Sequence, residues 1–471
     1  MAKIHGLLDV GRMSMQNSQT ALQTTAHNIA NKSTEGYSRQ RVDYQSNPAI
    51  WDGPHRLGTG SRVGAISRTN DPWLEKQVQQ ESTSLAFLEG QAGALSRLEN
   101  VMNESTVKGL NNSITDFFNS FRELANNPES AVTRTAVRDA GLGMVSQFNN
   151  MNKQIDTVAS DLNKQIETGI GEVNGFAKEI AQLNEKIMNI EITGASANDE
   201  RDRRDLLVKK LAEKVDLSYA EDEKTGMLNI TAGRTGILVA GTSWNNLKTW
   251  NDEKGSTRVV FEMSPNGGKD VDISEQFKKG ALGGVMEMRD GTVGQLRAGL
   301  NQLAKGIATE VNKAHIEGFD RYSQAGQNFF ESTDVDNFNV DNFKLNRAIM
   351  DDVGKIAAAA KPNAVGDNTT ANVIHSLQFS PLMGEGKFTF DDFYNSKVGE
   401  IGILAQRANS GIDGQRGIVD QLKNIRESVS GVSLDEEAAR MIEFQKTFEA
   451  SARVIRMADE MFDTVLNLKR F

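Results

Sequence analysis

Five histidines, His5, His27, His55, His315 and His375, are the side chains best able to move a proton or hold a transition metal near neutral pH. They are scattered, and none stands four residues from another, so no helix face offers the paired imidazoles of a zinc site. The densest run of charge, Asp199-Glu-Arg-Asp-Arg-Arg-Asp205, has carboxylates enough for a hard cation. Its arginines neutralise them from three and four residues away, which reads as a solvated ion-pair face of a helix. Asp334-Val-Asp-Asn-Phe-Asn339 opens like a calcium loop, then places Phe338 and Asn339 where an oxygen ligand and a glycine belong. Gly384-Glu-Gly-Lys-Phe388 lacks the spacing and the hydroxyl residue of a phosphate loop, and Gly58-Thr-Gly-Ser-Arg-Val-Gly64 misses the dinucleotide spacing by one residue. These patterns predict no catalytic, cofactor-binding or metal-binding residue. A secreted enzyme acting on the cell wall, the reading from a different class, needs a paired acid and carboxylate in a folded cleft, and no such pair is evident.

Composition narrows the partners. The 471 residues carry 53 basic and 63 acidic side chains, a net charge of -10 with no long run of either sign, which disfavours a nucleic-acid binder. No apolar stretch reaches the ~18 residues that a membrane helix needs, and Met1-Ala-Lys-Ile-His-Gly is too polar to open a cleaved secretory signal. There is no cysteine, hence no disulfide framework and no thiolate metal site.

The elements that would position any site are dominated by the two ends of the chain. Ile4, Leu8, Gly11, Met15, Ser18, Leu22, Thr25 and Ile29 alternate steps of four and three, an apolar-to-small heptad seam. At the other end Ser433-Leu-Asp-Glu436 reads as a capping box, and Met441, Phe444, Phe448, Ser451, Ile455, Ala458, Phe462 and Val465 follow the same rhythm. Neither stripe can be buried alone. The two fit a helical hairpin that closes one domain, or an assembly surface that orders only on polymerisation.

Asn28-Ile-Ala-Asn31 followed by Thr34-Glu-Gly-Tyr-Ser-Arg-Gln40 resembles the N-terminal signature of bacterial flagellar axial proteins of the rod, hook and hook-associated group. The Gly36-Tyr37-Ser38-Arg39-Gln40 form is most similar to the hook-associated protein 1 family, with Glu35 where that family usually has proline. Three later stretches resemble the same family in the same order: Asn198-Asp-Glu-Arg-Asp-Arg-Arg-Asp-Leu-Leu207, Gly280-Ala-Leu-Gly-Gly-Val-Met-Glu-Met-Arg-Asp290, and Ser430-Gly-Val-Ser-Leu-Asp-Glu-Glu-Ala438 with Ala458-Asp-Glu-Met-Phe-Asp463. The resemblance implies a structural protein of the junction between hook and filament, exported by the flagellar type III route and lying outside the cell. Its implied partners are copies of itself, the hook protein, a second hook-associated protein and an export chaperone. A distal rod or hook axial protein is the alternative within the group.

The expected fold is mainly α with inserted β: a long helical coiled-coil rod formed by both ends of the chain, plus a small, mostly antiparallel β domain. The chain divides into an assembly helix and turn (1–40), an extended linker with short strands (41–72), and a helical rod in three parts (73–215, 288–320, 363–430). A β domain is inserted over 216–287, a mixed β segment associated with it spans 321–362, and a C-terminal assembly helix closes the chain over 431–471. Within the rod, Asp71-Pro72 caps a helix and Asn126-Asn-Pro128 breaks it. A pattern from Met144 to Ile190 predicts roughly 70 Å of continuous helix, with Gly169, Gly171 and Gly175 marking a kink or a close crossing. Strand patterns include Leu228-Asn-Ile230, Gly236-Ile-Leu-Val239, Leu247-Lys-Thr-Trp250, Arg258-Val-Val-Phe-Glu-Met263 and Asn342-Phe-Lys-Leu-Asn346, with a turn at Pro265-Asn-Gly-Gly268.

Overall fold

The computed structural model describes residues 2–52, 55–102, 109–222, 224–253, 255–261, 270–331 and 338–468. The calcium-like stretch up to Asn337, the Pro265 turn and Met263 lie outside the described residues. The protein is mainly helical with several small antiparallel sheets.

The terminal helices, α1 (Ala2–Ala30) and α11 (Leu434–Leu468), pair with each other along their length. Between α1 and the rod runs a long antiparallel ribbon, β1 (Gln40–Ser46) with β4 (Ser61–Arg68), prolonged by the hairpin β2 (Ile50–Asp52) and β3 (His55–Leu57). The rod begins with α2 (Pro72–Met102), where the Asp71 carboxylate accepts the N–H groups of Trp73 and Leu74 at 3.0 and 3.3 Å, as the Asp-Pro pair predicts. In α3 (Leu110–Asn126), Leu110, Ile114, Phe117, Phe118, Phe121 and Leu124 bury one face, and Asn127-Pro128 ends it. Helix α4 (Ala131–Glu191) has 61 residues, about 90 Å at 1.5 Å per residue, longer than its apolar period alone predicts. It is uninterrupted. A Cβ on Gly169 would lie 2.5 Å from Leu282 Cδ2, the close crossing that the glycines predict, whereas Gly171 and Gly175 face open space.

Helix α5 (Asn198–Lys214) leads into the β domain, one sheet of β5 (Leu217–Glu221), β6 (Leu228–Ala232), β7 (Gly236–Ala240) and β8 (Ser243–Trp244), and another of β9 (Leu247–Asn251), β10 (Thr257–Phe261) and β11 (Val271–Asp272). Three asparagines fix this domain to α4. Asn163 donates to Gly255 O (2.9 Å), Asn174 to Leu247 O (2.9 Å), and Asn184 to Leu228 O (2.8 Å) and Gly241 O (2.7 Å); each also accepts a backbone N–H from the domain. Spacings of ten and eleven residues, about three turns, set all three amides on one face of α4.

Two boundaries differ from the expectation. Residues 280–287 form α6 (Gly280–Glu287), which packs on α2 rather than in the β domain. Gly284 and Gly90 permit that crossing, because a Cβ at either would collide with a carbonyl, of Phe87 and Ala281 respectively. A π-helical stretch, Met288–Val293, joins α6 to α7 (Gly294–Ile316). The segment after α7 packs on the helices: Phe329, Phe330 and Phe343 stack among Phe117, Phe121 and Phe148, and Asn312 of α7 both donates to and accepts from the Phe330 backbone. It is not an annex of the β domain. Where a strand over Asn342–Asn346 was expected, Val340–Asn342 forms a 3-10 turn and Leu345 makes an isolated bridge to Phe330, since the phenylalanines fit an aromatic cluster better than a sheet face. The chain returns through α8 (Arg347–Asp351), α9 (Thr369–Ser376) and α10 (Phe390–Ser430), the last packed along α2.

Candidate assembly site and the hub that holds it

The terminal helix pair is built around its small residues. Gly11, Ser18, Ala21 and Thr25 of α1 and Ser451 and Ala458 of α11 are buried, whereas Leu8, Met15, Leu22 and Ile29 are only half-buried. Met441, Phe444, Phe448, Ile455 and Phe462 are half-buried too, Val465 is exposed, and the Ile4 side chain lies outside the description. Small residues let the axes approach: a Cβ on Gly11 would lie 2.8 Å from Ile455 Cγ1, and the Ser14 and Ser451 hydroxyls bond at 2.7 Å. His5 meets Phe462 edge to face at 5.4 Å. The positions that dilute the seam in sequence are therefore its centre in space. Away from this seam Ile442 (60% exposed), Met457 and Met461 of α11 are exposed, as are Leu466 near its end and Leu7 of α1.

At the inner end of the pair, three separate motifs converge on Asn28. This side chain is 1% exposed and all its polar capacity is used: Nδ2 donates to Gln40 O and Glu437 Oε2, both at 2.9 Å, while Oδ1 accepts from the Tyr37 hydroxyl (2.7 Å) and Gln40 N–H (2.9 Å). Asn31 closes the end of α1 by donating to His27 O at 3.1 Å and accepting from the Thr34 hydroxyl. Gly36 takes φ +82, and a Cβ there would stand 3.1 Å from Leu206 Cβ, so only glycine suits both the turn and the contact. Glu35, in place of the usual proline, ties the same turn to Lys210 at 3.1 Å. Ser38 N–H donates to Asp202 (2.8 Å), and the Gln40 amide donates to Asp199 (2.7 Å), which also pairs with His27 at 3.2 Å. Arg39 bridges to Glu437 (2.9 Å) and Glu436 (3.2 Å), while its backbone N–H donates to Ser430 O. Glu436 is thus spent on Arg39, not on a capping box.

The charged run 199–205 is accordingly a joint as well as a solvated ion-pair face: Asp199, Arg203 and Asp205 stay exposed, whereas Asp202 and Arg204 are buried. Arg204 is fully buried, donating to Gly226 O at 2.6 Å and pairing with Glu221 at 3.1 Å; Arg201 binds Glu191 and Glu221, and Asp202 holds Arg68 at 2.8 Å. The alternating charges pair with other elements rather than along α5. Burial lifts the Asp202 carboxyl above the usual carboxylate range although Arg68 and the Ser38 N–H bind it. Burial, reinforced by Asp199, Asp202 and Glu437, raises the Tyr37 phenol as well, so it stays a protonated donor to Asn28. Among the described residues there is no group of three or more His, Asp or Glu side chains able to hold a metal ion, and no helix is long and apolar enough to cross a membrane.

A profile of the flagellar hook-associated protein FlgK helical domain matches residues 95–330, and one of the flagellar basal body rod FlgEFG protein C-terminal region matches 427–468, which is α11. The chain belongs to the flagellar hook-associated protein FlgK family. It is similar to flagellar hook-associated protein 1 of Bacillus subtilis, 29% identical over 98% of this chain and 97% of that one. Similarity to flagellar hook-associated protein 1 of Escherichia coli is 27% over 98% and 100%. Its fold is that of the flagellar hook junction protein FlgK from Burkholderia pseudomallei, with a TM-score of 0.67 at 17% identity over 75% of this chain and all of that one.

In this fold the motifs are joints. The Asn28–Gln40, Asn198–Asp205 and Ser430–Glu437 stretches meet in one hub, and Gly280–Asp290 makes the α2–α6 crossing. Sequence reasoning missed Arg68, Glu221 and the three docking asparagines. The ten-to-eleven-residue spacing of Asn163, Asn174 and Asn184 was the signal available for the last of these.

Proposed function

We propose that this chain is a non-enzymatic structural subunit of the bacterial flagellum, exported by the flagellar type III route, which polymerises through its terminal helices where the hook ends and the filament begins. The observation that carries this reading is that α11 is only partly covered: small residues close it against α1, while Ile442, Met457 and Met461 away from that seam stay open to solvent. Covering each such side chain on assembly is worth about 1.5–3 kcal/mol, which offsets the ordering of long helices. Neighbouring copies supply that cover, with the hook protein on one side of the ring and a second hook-associated protein on the other. Before assembly the same face suits an export chaperone. The interface joins these exposed side chains to the half-buried flanks of the pair, Leu8, Met15, Leu22 and Ile29 with Met441, Phe444, Phe448, Ile455, Phe462 and the exposed Val465. Immunogold labelling of whole cells tests the placement: one band per flagellum at the end of the hook is expected, and label along the hook or within the rod would overturn it.

A further inference from the structure

The ribbon β1–β4 lies along α1 and carries its hairpin to the outer end of the terminal pair. Asn17 donates to Ser61 O at 2.8 Å, and Gly60 stands against Val10, about 7.5 Å along α1 from the end where His5 meets Phe462. Beyond this last hold, where Asn47 N–H donates to Gly60 O, the hairpin turns its apolar side chains outward. Trp51 is 73% exposed and Ile50 56%, with the Arg56 guanidinium 5.3 Å over the Trp51 ring. An exposed tryptophan braced by an arginine is a rigid, cationic, apolar knob, and these are the residue types that dominate protein interfaces.

At the same end, α11 offers a complementary surface. Met457, Met461 and Val465 recur every four residues on one exposed face. Thioethers pack well against an aromatic ring and adapt to its shape. No net charge opposes the contact: Arg56 stands with Asp52 at the tip, and Arg453 and Arg456 stand with Asp459, Glu460 and Asp463 along the outer part of α11. Both surfaces are open in the single chain, so neither covers the other.

Building on the polymerising role proposed above, we infer that the Trp51–Arg56 hairpin tip of each copy docks on the Met457–Met461 face of α11 in a second copy. The two surfaces differ, so the contact is head-to-tail. Run in one direction, such contacts propagate into a ring or helix, the geometry a tubular lattice requires, whereas a reciprocal exchange would stop at a dimer and would overturn the head-to-tail contact.

The chain contains no cysteine, so introduced pairs report only on themselves. Flagella are isolated from cells whose only copy carries Trp51→Cys with Met461→Cys, and are treated with a short bis-maleimide. The expected result is a ladder beyond the dimer, at least tenfold stronger than from either single variant. Flagella that bear filaments yet give no ladder overturn the contact while leaving the polymerising role intact. A link confined within the monomer overturns it too, because the knob would then cover its own α11. Should the first pair stop filament growth, Leu57→Cys with Met457→Cys leaves Trp51 in place and is read the same way. Failure of the polymerising role itself is separate: it removes the gold band at the hook end.

Discussion

Asn28→Asp is the sharpest test of the hub. The change conserves shape and keeps both acceptors, facing the Tyr37 hydroxyl and Gln40 N–H, but removes the two donors that serve Gln40 O and Glu437. Loss of the bond to the Glu437 carboxylate costs about 1.5–3 kcal/mol, and a buried carbonyl without a partner adds about 1–3. The new carboxyl faces Glu437, itself 1% exposed, so its folded pKa rises above the unfolded value. The folded chain then binds the extra proton first, and the penalty is full at high pH and eases as pH falls through the raised pKa. Even about 3 kcal/mol at pH 7.5 is a factor of more than a hundred in local opening. Hydrogen exchange reads it: amides of α1 and α11 are expected to exchange over a hundredfold faster at pH 7.5, with a smaller factor at pH 5.5 after correction for intrinsic rates, and α4 unchanged. Asn28→Ala should show a loss that does not ease with pH. Unchanged protection of α1 and α11 in Asn28→Asp would refute the hub as the clamp of the helix pair, and equal loss in α4 would make it part of the rod core.

Three further outcomes are expected. Gly11→Val drives a side chain into Ile455 and should cost the pair about 1–3 kcal/mol by overpacking, seen as faster proteolysis of both termini and loss of filaments, whereas Gly143→Val, in open space, should leave both unchanged. Deleting 1–40 and 431–471 should leave a cooperatively melting rod and β domain, because α2–α10 pack among themselves; failure to fold would place the terminal helices in the core. His315 is fully buried, accepts Ala357 N–H at 2.8 Å and donates to Gln327 O, and burial pushes its pKa down to about 4. The unfolded chain therefore takes up this proton first, so stability should fall by about 2 kcal/mol between pH 7.5 and 5 and be flat above pH 7, a slope absent from His315→Gln in urea melts.

Much of the fold could be read in advance wherever one periodicity acted alone. The strands from Leu228 to Phe261, the capped start at Asp71 and the long helix through Phe148 and Ile180 are local signals, and each element forms close to where its pattern predicts. The errors arose where distant partners decide. Phe329, Phe330 and Phe343 look like strand residues until Phe117 and Phe148 are placed beside them. Arg204 looks like surface charge until Gly226 O and Glu221 close over it. Gly11, Ser18 and Thr25 look like gaps in an apolar heptad, whereas two helices at close approach select for small volume.

The hub's buried charges bear on what the joint is for. Removing Arg39, Glu437, Arg68 and Asp202 from water costs roughly what their attraction returns, so the ion pairs by themselves add little net stability. Apolar surfaces slide, whereas the four bonds to Asn28 and the bridges to Arg39 and Arg68 are satisfied in one relative orientation only. That orientation has leverage. Helix α1 spans 29 residues, about 43 Å, so a tilt of roughly 10° at Asn28 would move its outer end by roughly 7 Å, more than a side-chain contact tolerates. A joint of hydrogen-bonded polar groups thus sets where Trp51 and Met461 stand relative to a neighbouring copy. An apolar repacking of Arg39, Glu437, Arg68 and Asp202 would strand the buried donors that Asn28 and Ser38 direct at the two carboxylates, so it would lose the orientation and loosen the terminal pair together.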